Sequence, residues 1–187
     1  MATEPHQRLT IQEYLALERQ SETKNDYVDG EMFAMSGASR EHNLVCGNIF
    51  AALHGQLGGS ACEVYSNDMR VRTPDDLLTY PDVVVVCGEP RFGDDELDTL
   101  LNPTLIVEVL SKSTEAYDRI TKLDHYRTTP SLSEILLAAQ DRPRVEHWTR
   151  QGDHWVFEDI QDLETTVELP SIRCTLSLKT AYGRVFA

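Results

Sequence analysis

The chain has 187 residues, 41% hydrophobic and 26% charged, which suits one globular domain with a single core. No apolar run approaches the ~18 residues a membrane span needs, and residues 1–10 lack the charged-then-apolar layout of a secretion signal, so the cytoplasm is the expected setting. A formal net charge of −14 argues against a general affinity for nucleic acid, because backbone phosphates reward Lys and Arg, although a local basic strip can survive a negative total.

Thr10-Ile11-Gln12-Glu13 forms a capping box, and Leu15 and Leu17 follow it, so a helix is expected over 11–20. The stretch 25–35 reads as a hairpin turning at Asp29-Gly30, a strong turn dipeptide. Ser39 then caps a long helix in which Leu44, Val45, Ile49, Ala52, Leu53 and Leu57 recur at helical spacing, and Gly58-Gly59 stops it. Three strands are expected next, over 62–66 continuing into 68–73, over 82–87 and over 104–110. The acidic, polar stretch from Gly88 to Asn102 reads as a surface loop. A helix from Ser113-Thr114-Glu115 to about Thr128 is ended by Thr129-Pro130, and a strand follows over 134–139. Residues 144–150 and 154–160 read as a late hairpin that Trp148 and Trp155 pack, and a short helix starts at Ser177. The order helix, strand, strand, strand, helix, strand implies an α/β fold: a mixed sheet with helices on both faces, in one domain over 1–187.

Cys46, Cys62, Cys87 and Cys174 are scattered with no CxxC pair, so they read as small buried apolar residues rather than zinc ligands or a disulfide framework. His125, His147 and His154 have no zinc spacing either. No Gly-rich phosphate loop and no Ser/His/Asp or Cys/His order stands out, which leaves nucleotide hydrolysis and acyl transfer without support.

The chemistry sits in two β-branched runs, Tyr80-Pro81-Asp82-Val83-Val84-Val85-Val86 and Pro103-Thr104-Leu105-Ile106-Val107-Glu108-Val109-Leu110. Each reads as a buried strand carrying one carboxylate, and an ionised acid there costs several kcal/mol unless something positive meets it. If the strands are neighbours, Asp82 and Glu108 can face each other and, with a carbonyl such as that of Val109 and several waters, hold Mg²⁺ or Mn²⁺. The plainer alternative makes Asp82 a strand-end residue after a turn proline and pairs Glu108 with an Arg. On the following helix Asp118, Lys122 and Tyr126 fall at i, i+4 and i+8. Lys122 could bring an ammonium to a phosphate, or form only a surface ion pair with Asp118; Lys112 is the rival ammonium, just past the strand end. Glu41 suits the first turn of its helix and is also a candidate extra ligand, which would allow a second metal. His42 is either water-bridged to the site or a helix-surface residue, and Asp68 either lies near the site or occupies a turn.

Pro81-Asp82, Glu108-Val109-Leu110-Ser111-Lys112-Ser113-Thr114, then Asp118, Lys122 and Tyr126 resemble the Uma2-type putative restriction endonuclease family, a branch of the PD-(D/E)XK nuclease superfamily. The resemblance runs over about 25–185 and takes in Tyr27-Val28-Asp29-Gly30-Glu31, Glu41-His42-Asn43 and Asp68-Met69-Arg70-Val71. It implies a core of helix, three strands, helix and strand. It also implies Mg²⁺-dependent hydrolysis of DNA, with Asp82 and Glu108 as metal ligands. The superfamily's lysine two residues after the Glu is replaced here by Leu110, so the resemblance makes Lys122 the migrated lysine, supported by Asp118 and Tyr126. A nuclease of this kind is expected to be a homodimer, since one site per subunit cuts two strands most simply in pairs. A non-catalytic binding or assembly module on the same fold is the rival expectation.

Overall fold

Thr10 opens the first helix, α1 (Ile11–Glu18), in a computed structural model that describes residues 8–35 and 37–186. Residues 1–7 of the stretch read for a secretion signal lie outside the described residues. The capping box forms as expected, the Thr10 hydroxyl accepting from the Glu13 amide at 3.2 Å. The helix ends two residues short of the expected 20. Its last residue, Glu18, is buried and turns its carboxylate to the Asn25 amide at 2.9 Å, which joins α1 to the hairpin β1 (Asn25–Val28) and β2 (Glu31–Ala34). The hairpin turns on Asp29 and Gly30, both at positive φ (51° and 87°), as the Asp-Gly signal requires.

The helix α2 (Arg40–Leu57) starts at Ser39, whose hydroxyl accepts from the His42 amide, and it buries Val45, Ile49, Leu53 and Leu57 along one stripe. The strands β3 (Cys62–Ser66), β4 (Arg70–Arg72), β5 (Leu78–Thr79), β6 (Val83–Cys87), β7 (Thr99–Leu100) and β8 (Leu105–Leu110) follow. Next come α3 (Glu115–Tyr117), a π-helical turn (Asp118–Lys122) and α4 (Leu123–Arg127), which together make one helical segment. The chain closes with β9 (Glu134–Ala139), the hairpin β10 (Val145–Gln151) and β11 (His154–Ile160), the hairpin β12 (Thr166–Leu169) and β13 (Cys174–Ser177), and α5 (Leu178–Ala181). Among the described residues no helix is long and apolar enough to cross a membrane.

The main sheet is six-stranded in the order β11-β10-β9-β8-β6-β3, with β8 and β9 parallel and the other pairs antiparallel. The order read from the sequence appears as α2, β3, β6, β8, the 115–127 segment and β9. Strand alternation divides the core in two. Val83, Val85, Leu105, Val107 and Val109 pack under α2 and the C-terminal hairpin and helix. Val84, Val86, Ile106 and Leu110 face α4 and a second sheet, ordered β2-β1-β5-β4-β7. By the same alternation Asp82 and Glu108 belong to this second face.

Three expectations are corrected. Strand 62–66 does not run on into 68–73: a turn, in which the Met69 amide donates to the Ser66 carbonyl, sends β4 into the second sheet. The stretch from Gly88 to Asn102 is not all surface loop, because Thr99 and Leu100 are buried and pair in parallel with β4. Its acidic composition has a structural use: Asp98 binds both Arg19 and Arg70, and the Arg70 guanidinium is only 2% exposed. Cys62 and Cys87 are not separate apolar residues either. The antiparallel register of β3 and β6 puts them directly opposite, and they are joined as a disulfide. Cys46 and Cys174 remain thiols, half-buried and buried. The late hairpin is packed as expected, with Arg127 stacked over Trp148 at 4.2 Å and Arg150 over Trp155 at 4.5 Å.

Arg70 donates to Thr99 Oγ1 and to the Tyr80 hydroxyl, and its charge is met by Asp98. Replacing Asp98 by Ala should therefore destabilise the protein more than the volume-conserving Arg70→Met, because it leaves a buried guanidinium without its carboxylate. The expected loss for Asp98→Ala is about 2–3 kcal/mol in urea unfolding, below the ~3–5 kcal/mol of a fully buried pair because water already screens Asp98.

Candidate active site

The register of β6 against β8 pairs Val83 with Val107, so Asp82, just ahead of β6, stands opposite Glu108 one step further along. Asp82 reaches across and accepts from the Val109 amide at 2.7 Å through Oδ2, which ties the two strand ends together. His42 on α2 brings its Nε2 to 3.3 Å from the same oxygen. Burial lowers the His42 pKa, but the hydrogen bond to Asp82 and that residue's charge outweigh it and leave it raised. Both recorded bonds fall on Oδ2, and Oδ1 takes none among the described residues.

Glu108 is 3% exposed within a strand whose six residues are all buried. Lys122 Nζ stands 3.2 Å from its Oε1, and the Tyr126 hydroxyl donates a very short hydrogen bond to the same atom. Lys122 and Tyr126, four residues apart, share a helix face and converge on one oxygen, while Asp118 stays 3.3 Å from the ammonium across a π-helical turn in which the Leu123 amide donates to the Asp118 carbonyl. Burial pushes the Glu108 carboxyl up, to about 8; the Lys122 ammonium opposes the shift, and the Asp118 and Asp82 charges add to it. Burial also acts to lower Lys122, but Glu108, Asp26 and Asp118 overcome it and hold the ammonium well above its ordinary pKa.

Asp26 is the participant that sequence reasoning missed. It comes from β1, is buried, and places Oδ2 at 3.7 Å from Lys122 Nζ. Its Oδ1 is buried without a hydrogen-bond partner among the described residues. The available signal was the run Asn25-Asp26-Tyr27-Val28, where an acid sits in a four-residue strand whose two central residues are both buried. The Tyr117 ring, below the Lys122 ammonium at 5.7 Å, was likewise not anticipated.

Of the residues read from the sequence, the structure brings Asp82, Glu108, Val109, Asp118, Lys122, Tyr126 and His42 together, all but Tyr126 lining one cavity of about 570 Å³. Glu41 is not in that lining and faces Arg40 at 3.5 Å. Asp68 is 79% exposed, paired with Lys24 beyond the cavity, in the turn after β3. Lys112 is exposed at the cavity mouth. Among the described residues the Lys122 ammonium pairs with Glu108 and not with Asp82, and His42 is the group within ion-pair distance of Asp82.

Among the described residues no three His, Cys, Asp or Glu side chains converge on one point, which disfavours a zinc-type cage. The donor set does suit a hard cation that takes one or two carboxylates, a carbonyl and several waters. Three buried carboxylates (Asp26, Glu108 and Asp118) surround one buried ammonium and a fourth, Asp82, stands opposite Glu108, so carboxylates outnumber ammonium groups on the floor of the cavity. A mixed sheet with two facing acids on adjacent strands and a lysine from the next helix defines the restriction-endonuclease-like class.

A family profile described as Uma2, putative restriction endonuclease, matches residues 11–181, and the chain belongs to that family. Two relatives from Synechocystis sp. (strain ATCC 27184 / PCC 6803 / Kazusa) are uncharacterized proteins, sll1609 and slr1290. The first is 36% identical over 86% of this chain and 92% of its own; the second is 32% identical over 95% and 93%. The crystal structure of a putative nuclease belonging to DUF820 from Anabaena variabilis ATCC 29413 superposes with a TM-score of 0.74 at 18% identity. That match covers 95% of this chain and 99% of the other, and it shows the shared fold.

Glu108 titrates higher in the folded chain than its ordinary 4.5, so between that value and about 8 the folded state binds the extra proton. Stability of the metal-free protein should then fall as pH rises through this window. Urea unfolding in EDTA at pH 5.5 and pH 8 checks it. The loss should be smaller in Glu108→Gln, which cannot ionise.

Proposed function

We propose that the protein is a metal-dependent endonuclease that hydrolyses phosphodiester bonds of DNA. One observation carries this reading: two buried carboxylates, one just ahead of β6 and one within β8, stand opposite each other on adjacent strands, with the Lys122 ammonium against one of them, on the floor of an open cavity. Asp82, Glu108 and the Val109 carbonyl would hold Mg²⁺ or Mn²⁺. The chemistry such a cation supplies is neutralisation of charge on the phosphate and easier deprotonation of an attacking water.

The residues of the chain do the rest. The Val109 amide and His42 fix the Asp82 carboxylate, and Tyr126 fixes Glu108, so neither acid needs to reorganise when a substrate arrives. Asp118 and Asp26 hold the Lys122 ammonium in its charged form beside Glu108. There it steadies the negative charge that grows on the phosphate, or orients the water. The apolar core behind the acids lowers the local dielectric and strengthens these interactions. Membership in the Uma2 family supports nuclease chemistry in general.

Two measurements test this. Isothermal titration with Mg²⁺ should show binding to the wild type and its loss in Glu108→Gln. Nicking of supercoiled DNA should require the metal and disappear in Asp82→Ala. A double variant Asp82→Ala/Glu108→Ala that nicks as well as wild type would refute the reading in favour of a binding or assembly module. Lys122→Met should retain metal binding while the cleavage rate falls by about 10²–10³-fold, the usual effect of removing one charge-stabilising donor.

A further inference from the structure

The rim of the cavity differs in chemistry from its floor, and the difference bears on which form of DNA can enter. On β2, Phe33 is the register partner of Asp26, so its side chain lies on the same sheet face as that buried acid. Phe33 lines the cavity yet is 46% exposed, and Met35, two residues on and also lining, is 36% exposed. A strand edge therefore offers an aromatic ring and a thioether to solvent, directly beside a group of carboxylates. The opposite rim is the turn Ser111-Lys112-Ser113-Thr114, whose hydroxyls hydrogen-bond among themselves at 3.0 Å. Ser39 and Gln140 are bonded to each other at 3.0 Å and make a third stretch of wall.

We infer that the strand cut at this site is unpaired DNA, with a base next to the scissile phosphate stacked on Phe33. This rests on the nuclease reading above and specifies its substrate. Two arguments support it. Asp82 and Glu108 are only 9% and 3% exposed, so a phosphate must descend between the rims to reach them. A flexible single strand can do so more readily than a stiff duplex. The cations are also wrong for a duplex. Among the described residues Lys112 and Lys122 are the only Lys or Arg in the lining, and Lys122 is already engaged with carboxylates. Duplex binders of the kind that make ~6–10 phosphate contacts need a basic track. A surface short of such charge must draw affinity from elsewhere, and base stacking on an aromatic ring is both sequence-tolerant and specific for unstacked bases.

The test uses the full chain with Ca²⁺ in place of Mg²⁺, and reads fluorescence anisotropy of a labelled oligo(dT) single strand and of the blunt oligo(dT)·oligo(dA) duplex of equal length. The single strand should bind about tenfold more tightly or better, and Phe33→Ala should lose about tenfold on the single strand while leaving the duplex unchanged. Phe33→Leu keeps the bulk without the π face and should behave like Ala, whereas Phe33→Trp should bind at least as well as wild type. Because Phe33 is half exposed on a hairpin, circular dichroism should show all three variants folded. Equal affinity for both DNAs, no binding to either, or full binding by Phe33→Ala overturns the inference. Cleavage with Mg²⁺ separates the two layers: nicking that continues without strand preference leaves the nuclease reading standing, while no cleavage of either DNA removes that reading itself.

Discussion

A carboxylate in the middle of a fully buried strand is the constraint around which this fold is arranged. Glu108 lies in β8, which pairs antiparallel with β6 and parallel with β9, and isolating its charge there would cost several kcal/mol. The protein meets that cost with Lys122 and Tyr126, both on the helical segment that follows β8 directly. Burying the ammonium in turn calls for Asp118 and Asp26. The result is a cluster in which each charge needs the next, and in which carboxylates outnumber ammonium groups.

That cluster also explains why a small second sheet is attached to the nuclease-like core. The hairpin β1–β2 supplies Asp26 to the floor and Phe33 to the rim from one face of paired strands. The hairpin is held by α1 through Glu18, which accepts from the Asn25 amide and from the Tyr80 hydroxyl. Tyr80 accepts from Arg70, and Arg70 binds Asp98. A continuous set of polar contacts therefore runs from the acidic segment after β6, through Arg70 and the Tyr80 hydroxyl, to Glu18 and the hairpin that lines the cavity. Buried polar networks of this kind hold geometry well only when most members are satisfied. Among the described residues Asp26 Oδ1, without a hydrogen-bond partner, is one point where this one is open.

The charge of −14 is consistent with a nucleic-acid enzyme once its distribution is considered. Much of the acidity is structural: Asp98 meets two arginines, Glu146 meets Arg119 and Arg144, and Asp159 meets Arg144. These pairs consume arginine that a duplex-binding surface would otherwise display. What remains at the cavity mouth is Lys112, hydroxyls and an exposed aromatic ring.

β-branched runs made β6, β8 and β9 legible, and period-2 alternation put Glu108 and Leu110 on one face of their strand, whereas the pairing of β6 with β8 is what set Asp82 opposite Glu108. Caps and turn dipeptides located α1, α2 and the first hairpin, because those signals are local. The i, i+4, i+8 spacing identified Asp118, Lys122 and Tyr126, although not the π turn over Asp118–Lys122. Contacts distant in sequence were decided only by the tertiary structure. Asp26 reaches Lys122 across nearly a hundred residues, Cys62 meets Cys87 through strand register, and Thr99-Leu100 is buried because β4 leaves the main sheet to receive it. Local sequence determines which side chains share a face. Which faces meet depends on the packing of the whole chain, and that packing turned two isolated acids into a single charged site.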